Sequence, residues 1–272
     1  MVTSYIPADL NEALAIRARE PVTLYGGGTD LMIEASDDAS YLFLGKLPEL
    51  RGIRDDDSYI RIGSECTFTE IIENSLTPAI LREAASGIGG PAIRNLGTIG
   101  GNIGNGSPKA DSVLILFAAN ASVVLKSVRG DRTVPVRDFY LGKRKIDLKD
   151  DEIITEVLLP RFGLSNYSYT KIGARKAQAI SRVAFAGILD LENGRIKNCS
   201  VAFGAVSDKV ICRPDIDAML IGLSLPEASE KKAEYLEAFD KAIVPIAGRI
   251  SAEYRKTVCM NLLKDFIEKN GI

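Results

Sequence analysis

The chain has 272 residues, 46% of them apolar, enough for about two domains with real hydrophobic cores, so disorder is excluded as its main state. Its 34 basic and 36 acidic side chains leave a net charge of −2, which gives no field of one sign to hold a nucleic-acid backbone or an anionic membrane surface. Histidine is absent, which removes Ser-His-Asp and Cys-His nucleophile systems and imidazole-bound zinc. Chemistry here is borrowed or done by other groups.

The four cysteines, Cys66, Cys199, Cys212 and Cys259, show none of the close spacings of thiolate metal or iron-sulfur sites. They read as small buried hydrophobes in a reduced cytosol. Residues 1–20 lack a basic flank followed by an apolar core, and the most apolar stretch, Val113 to Leu125, is interrupted by Asn120 and Ser122. With about 20 residues needed to span a bilayer, the expectation is a cytoplasmic protein.

In chain order, Asp9 and Glu12 form a capping box ahead of a helix carried by Leu10, Ala13, Leu14 and Arg17 and ending near Pro21. A short strand, Val22 to Tyr25, runs into Gly26-Gly27-Gly28-Thr29-Asp30, and Leu31-Met32-Ile33 resumes an apolar segment. Tyr41 to Leu44 and Tyr59 to Ile62 read as strands, the second after the acidic turn Asp55 to Ser58, where a lobe boundary is placed. Eight of the 24 glycines crowd between Gly87 and Gly106, a density that costs backbone entropy and implies positive φ or close backbone approach. An apolar helix over Asp111 to Ala119 follows, then strands over Ala121 to Lys126 and Glu152 to Leu159, and a second boundary at Pro160 to Ser165. Val183 to Leu191 and Ile196 to Val206 flank Asn193-Gly194 and are expected to pair as a hairpin. Helices over Asp215 to Ile221, Glu227 to Ile243 and Gly248 to Lys269 complete a C-terminal region of small sheet and helical bundle.

The two glycine-rich segments fit neither the dinucleotide fingerprint nor the P-loop, since the third glycine position and the Gly-Lys-Ser/Thr step are both missing. A glycine loop after a strand can still offer successive N–H groups to a pyrophosphate. Gly26 to Asp30 suits that role, and equally a tight strand-to-helix turn with no ligand. The second segment, Asn95 to Ser107, reads as a long loop that sets Thr98, Asn102, Asn105 and Ser107 between its glycines, a pattern that favours ligand binding.

Tyr25-Gly26-Gly27-Gly28-Thr29-Asp30-Leu31-Met32, together with Ile93 to Asn102 and Ser107-Pro108-Lys109-Ala110-Asp111, resembles the FAD-binding subunit of the molybdenum hydroxylases, the family of xanthine, carbon monoxide and nicotinate dehydrogenases. Lys171 to Val183 matches a further recurrent segment, so the resemblance covers essentially the whole chain. It implies an α+β fold, a two-lobed FAD domain of the vanillyl-alcohol-oxidase (PCMH) type with lobes at 1–58 and 59–160, then a C-terminal domain at 165–272. By position it implies that Leu24 and Tyr25 lead into a pyrophosphate loop of Gly26, Gly27, Gly28, Thr29 and Asp30. Thr98, Gly101, Asn102, Asn105 and Asp111 would hold phosphate, ribityl and adenosine atoms. Ile154 would lie near the isoalloxazine, and Arg182 would reach the flavin from the C-terminal domain. Where relatives have a small apolar residue and Ala, this chain has Tyr25 and Gly26; where many have Asp-Ile-Ala, it has Ala179-Ile180-Ser181.

The resemblance further implies noncovalent FAD fed by a 2Fe-2S subunit and a molybdopterin-binding subunit, with NAD+ as acceptor and no metal on this chain. A stand-alone flavin oxidase or reductase of the same fold, or an interaction subunit that has lost FAD, are the alternatives.

Overall fold

The computed structural model describes residues 3–36, 38–161 and 163–272. These form two compact units, the first made of residues 1–77, 88–106 and 120–161, the second of 78–87, 107–119 and 162–272.

The first unit opens with β1 (Ser4–Tyr5), α1 (Leu10–Arg19), β2 (Thr23–Tyr25) and β3 (Tyr41–Phe43), with β3 lying between β1 and β2 and parallel to both. Asp9 caps α1 as expected, accepting from the Glu12 N–H at 2.8 Å, but Glu12 returns its carboxylate to the Ala8 N–H rather than to Asp9. Ala13, Leu14 and Ile16 of α1 pack with Val22, Leu42, Leu44, Leu47, Leu50 and Ile153 in one core. Of the apolar segment after the glycines, Leu31–Ile33 is a single 3-10 turn.

A five-stranded antiparallel sheet follows, built from β4 (Ile53–Asp55), β5 (Tyr59–Gly63), β6 (Ser122–Ser127), β7 (Gly130–Pro135) and, after the short helix α7 (Val136–Phe139) and a ribbon of β8 (Tyr140–Gly142) and β9 (Lys145–Ile146), β10 (Ile153–Pro160). Its order is β4-β5-β10-β6-β7, so the last strand in sequence is the central one, and its nearly unbroken apolar run is buried on both faces. From β5 the chain enters α2 (Phe68–Glu73), whose Thr67 cap and Glu70 form a full capping box.

The expected long loop over Asn95 to Ser107 is instead largely helical. After α3 (Ala79–Ser86), which belongs to the second unit, α4 (Pro91–Leu96) and α5 (Ile99–Gly104) follow in the first. Thr98 caps α5, its Oγ1 accepting from the Gly101 N–H at 3.1 Å. Low helix propensity is overridden by packing: a Cβ on Gly100 would lie 2.7 Å from the Ser64 Cβ, so only a bare backbone brings α5 this close to the end of β5.

In the second unit, α6 (Asp111–Ala118) is buried along its whole length. It lies with α3 against an antiparallel sheet of β11 (Tyr167–Ile172), β12 (Val183–Glu192), β13 (Arg195–Gly204) and β14 (Ile211–Cys212). The β12–β13 hairpin turns at Asn193 (φ +53°) and Gly194 (φ +75°), both left-handed as an Asn-Gly turn requires. Val183, Phe185, Leu189, Val201 and Phe203 join Tyr235 and Phe239 of α9 (Leu225–Ala242) and Cys259, Leu263 and Phe266 of α10 (Ala252–Lys269) in a second core. The helix expected over Asp215 to Ile221 shortens to α8 (Pro214–Asp217), and the chain then turns through Gly222 at φ +85°.

Candidate functional site

Strand β2 delivers Leu24 and Tyr25, both half-buried, directly into Gly26. Gly28 adopts φ +69°, and a Cβ there would lie 2.2 Å from the Tyr25 hydroxyl, so the tyrosine folds back over its own loop. Its ring packs on Phe43 (centroids 4.5 Å apart) and edge-on to Tyr41 at 6.1 Å. The loop thus rests on an aromatic support.

The two glycine segments, some 70 residues apart in sequence, meet backbone to backbone. A Cβ on Gly27 would fall 1.7 Å from the Leu96 carbonyl oxygen, and one on Gly97 would lie 3.3 Å from the Thr29 Oγ1. Asn105 Nδ2 donates to Asp30 Oδ2 at 2.5 Å, closing the outer end of the contact. Gly26, Gly27, Thr29 and Asp30 therefore meet Leu96, Gly97, Thr98 and Asn105 directly, while Gly101 and Asn102 lie on α5, which Thr98 caps. Thr98 is buried and held by its cap bond, Gly101 and Asn105 are exposed, and Asn102 is half-buried and hydrogen-bonded. Ile154 is buried in β10, in the same unit, beside the register shift between Ile154 and Glu156.

Asp111 and Arg182 belong to the second unit. Asp111, the first residue of α6, is a buried ion-pair member rather than a free acceptor: it receives the Lys171 ammonium at 2.6 Å and the Ser181 hydroxyl at 2.6 Å. Lys171 also donates to the Gly87 carbonyl at 2.8 Å. Burial pushes the Asp111 carboxyl above its ordinary range, with Lys171 and then Ser181 pulling against it. Arg182 is half-buried, and its carbonyl accepts from Arg255 at 2.6 Å. Lys171 was visible in sequence only as the start of a recurrent segment; its ion pair with a residue 60 positions away has no local signal.

Sequence reasoning passed over Glu65, which sits between β5 and α2 with its N–H bonded to the Leu50 carbonyl. Only 2% exposed, it has a carboxylate oxygen, Oε2, with no hydrogen-bond partner. A Cβ on Gly26 would lie 2.9 Å from the Thr98 Oγ1 and 3.0 Å from the Glu65 Oε1, so Gly26, Thr98 and Glu65 close around one point at the foot of the glycine loop. Desolvation raises the Glu65 carboxyl to about 7, against a smaller downward pull from Arg51. A signal existed: a lone glutamate in the otherwise uncharged stretch Ile62-Gly-Ser-Glu-Cys66.

That carboxyl has a consequence for stability. Its folded value of about 7 lies above the ordinary 4.5, so the folded state binds the extra proton and stability falls as pH rises between the two. The whole effect is about 3 kcal/mol. Denaturant melts of the cofactor-free protein are expected to show lower stability at pH 8 than at pH 5, and Glu65→Gln is expected to remove most of that slope. A slope unchanged in the variant would assign it to other groups.

Residues 1–162 match the family model described as the FAD binding domain in molybdopterin dehydrogenase, and residues 168–270 match the CO dehydrogenase flavoprotein C-terminal domain. The chain belongs to the FAD-binding subunits of the molybdenum hydroxylases. It is 37% identical over 215 residues to the xanthine dehydrogenase FAD-binding subunit of Escherichia coli, covering 74% of this chain and 72% of the relative. It is 34% identical over 236 residues to the nicotinate dehydrogenase FAD-subunit of Eubacterium barkeri, covering 81% and 80%. Among solved structures it superposes on carbon monoxide dehydrogenase from Hydrogenophaga pseudoflava with a TM-score of 0.88 at 26% identity, over 97% of this chain and 95% of that one. Family membership bears out the fold class read from the motifs, an FAD-binding domain followed by a C-terminal domain built on an antiparallel sheet.

The residues present fit a flavin dinucleotide. Gly26 to Gly28 put three successive residues without a side chain ahead of Thr29, so main-chain N–H groups can approach an anion closely, and a buried carboxyl oxygen of Glu65 beside Gly26 has no hydrogen-bond partner. Among the described residues no helix is long and apolar enough to cross a membrane.

Proposed function

We propose that this chain carries FAD noncovalently as the electron-transfer subunit of a xanthine dehydrogenase-like molybdenum hydroxylase. In this reading a molybdopterin-binding subunit oxidises a small substrate, a 2Fe-2S subunit relays the electrons, and NAD+ is the final acceptor. The observation that carries the reading is the backbone junction of the two glycine segments, too close at Gly27 for any residue with a Cβ, in a chain of this family. Bound FAD would supply the chemistry itself, since a flavin accepts electrons singly from an iron-sulfur centre and releases them as a hydride.

The protein's part is binding and orientation. Gly26, Gly27, Gly28 and Thr29 would hold the pyrophosphate through main-chain N–H groups, with Asp30 and Asn105 locking the loop to α5. Gly101 and Asn102 would contact the cofactor from the second segment, Ile154 would pack at the flavin, and Asp111 and Arg182 are further proposed cofactor residues. Lys171, by holding Asp111, sets how that carboxylate is presented.

Histidine and cysteine are the common attachment residues for flavin; histidine is absent, and no cysteine lies in either glycine segment. Cys66, in the unit that carries the glycine loop, is buried, and burial pushes its thiol up to about 11. Protein purified with its cofactor is expected to show a flavin spectrum, release all flavin on acid precipitation, and reduce artificial dyes with NADH. Flavin that stays with the denatured chain would refute noncovalent binding. Loaded protein without NADH-dye activity would move the acceptor from NAD+ to oxygen, a quinone or a protein carrier.

A further inference from the structure

Glu65 brings a carboxyl group to the foot of the glycine loop. Its Oε1 lies 3.0 Å from the point where a Cβ of Gly26 would project, and Thr98 Oγ1 lies 2.9 Å from the same point. It is 2% exposed, and Oε2 lacks any partner. A buried carboxyl oxygen left unbonded costs free energy, so a structure that keeps one beside an anion-binding loop keeps it for a ligand or tolerates a defect.

The surroundings decide in which protonation state it meets that ligand. The segment between β3 and β4 contributes Arg51, whose guanidinium is committed to the Gly45 carbonyl at 2.8 Å and to Glu70 of α2 at 3.4 Å. The glycine loop offers only main chain at Gly26, and the residue before α5, Thr98, offers a hydroxyl; neither brings a positive charge. A diphosphate arriving at the loop would face an ionised Glu65 with no cation between them. A neutral carboxyl in the same place becomes a hydrogen-bond donor to a phosphate or ribityl oxygen.

We infer that Glu65 is a proton-linked positioning residue for the flavin nucleotide, holding a proton that it donates to the diphosphate–ribityl segment, so that FAD is taken up together with one proton. This rests on the proposed FAD site. Binding consumes one proton from solvent wherever Glu65 is ionised in the free protein, and no bond of the cofactor changes. Since the free carboxyl titrates at about 7, FAD affinity is constant in mildly acidic solution and falls as pH rises beyond neutrality, by up to about tenfold per pH unit. The absence of histidine clears that window of its usual titrating side chain. Gly26 belongs to the same device, because an alanine there would displace the carboxyl.

The test is FAD titration of the deflavinated full chain, followed by flavin fluorescence and by calorimetry in two buffers of different ionisation heat, at about pH 6 and about pH 8.5. Wild type is expected to bind at least about tenfold more weakly at the higher pH, with close to one proton taken up per FAD. Glu65→Gln, whose amide donates without titrating, is expected to bind at both pH values with the wild-type affinity of pH 6 and with no proton uptake. Wild-type affinity that is the same at both pH values, or a pH dependence that survives in Glu65→Gln, would overturn the inference. The wild-type proton count decides the matter even if the variant fails to fold. Failure of both proteins to bind FAD at either pH would overturn the FAD reading itself and the inference with it, an outcome distinct from tight but pH-independent binding.

Discussion

Gly27→Ala is expected to leave the protein without flavin and to cost at least about 3 kcal/mol of stability. The added Cβ would fall 1.7 Å from the Leu96 carbonyl oxygen, a backbone atom with no rotamer to change, so the two glycine segments must separate. That separation also pulls Thr29 from Gly97 and strains the Asp30–Asn105 bond, which together shape the junction. Flavin-to-protein ratio and thermal unfolding are the measurements. Gly104→Ala is the control: it lies in α5, nothing stands within 4 Å of its Cβ position, and alanine there is expected to be neutral or stabilising by up to about 1 kcal/mol. Wild-type flavin content in Gly27→Ala would show that the junction does not form the cofactor site.

Asp111→Ala is expected to lower stability by about 3–5 kcal/mol, because the Lys171 ammonium, 17% exposed, and the buried Ser181 hydroxyl would lose their acceptor while staying inside. Pairing it with Lys171→Met should recover much of the loss, since a well-packed apolar pair leaves no stranded charge. FAD affinity is expected to fall roughly ten- to hundredfold in the single variant if Asp111 also touches the cofactor. Denaturant titrations of both variants and the double variant, with FAD binding measured in parallel, separate the two roles. A single variant as stable as wild type would refute the buried-pair account.

Several features of the fold follow from short-range rules alone. Asp9 capping α1, the Asn193-Gly194 hairpin, the apolar α6 and the C-terminal helices follow from caps, left-handed turn residues and periodicity within a few positions of one another. The glycine segments were legible as motifs, and family membership with them, because a backbone approach that tolerates no Cβ leaves its mark on the residues themselves.

What those segments do to each other, and what stands behind them, depends on contacts between residues far apart in the chain. That α5 is a helix despite its glycines depends on Ser64, and that β10 is the central strand of its sheet depends on pairing with strands laid down far earlier in the chain. The pairing of Asp111 with Lys171, across 60 residues, places a residue expected at the cofactor in a buried ion pair. The burial of Glu65 is set by neighbours brought from Gly26, Leu50 and Thr98, none of them adjacent in sequence. Charge and hydrogen-bonding capacity are written residue by residue, but the solvent that a side chain loses on folding is a property of the assembled fold, and with it the proton that Glu65 carries.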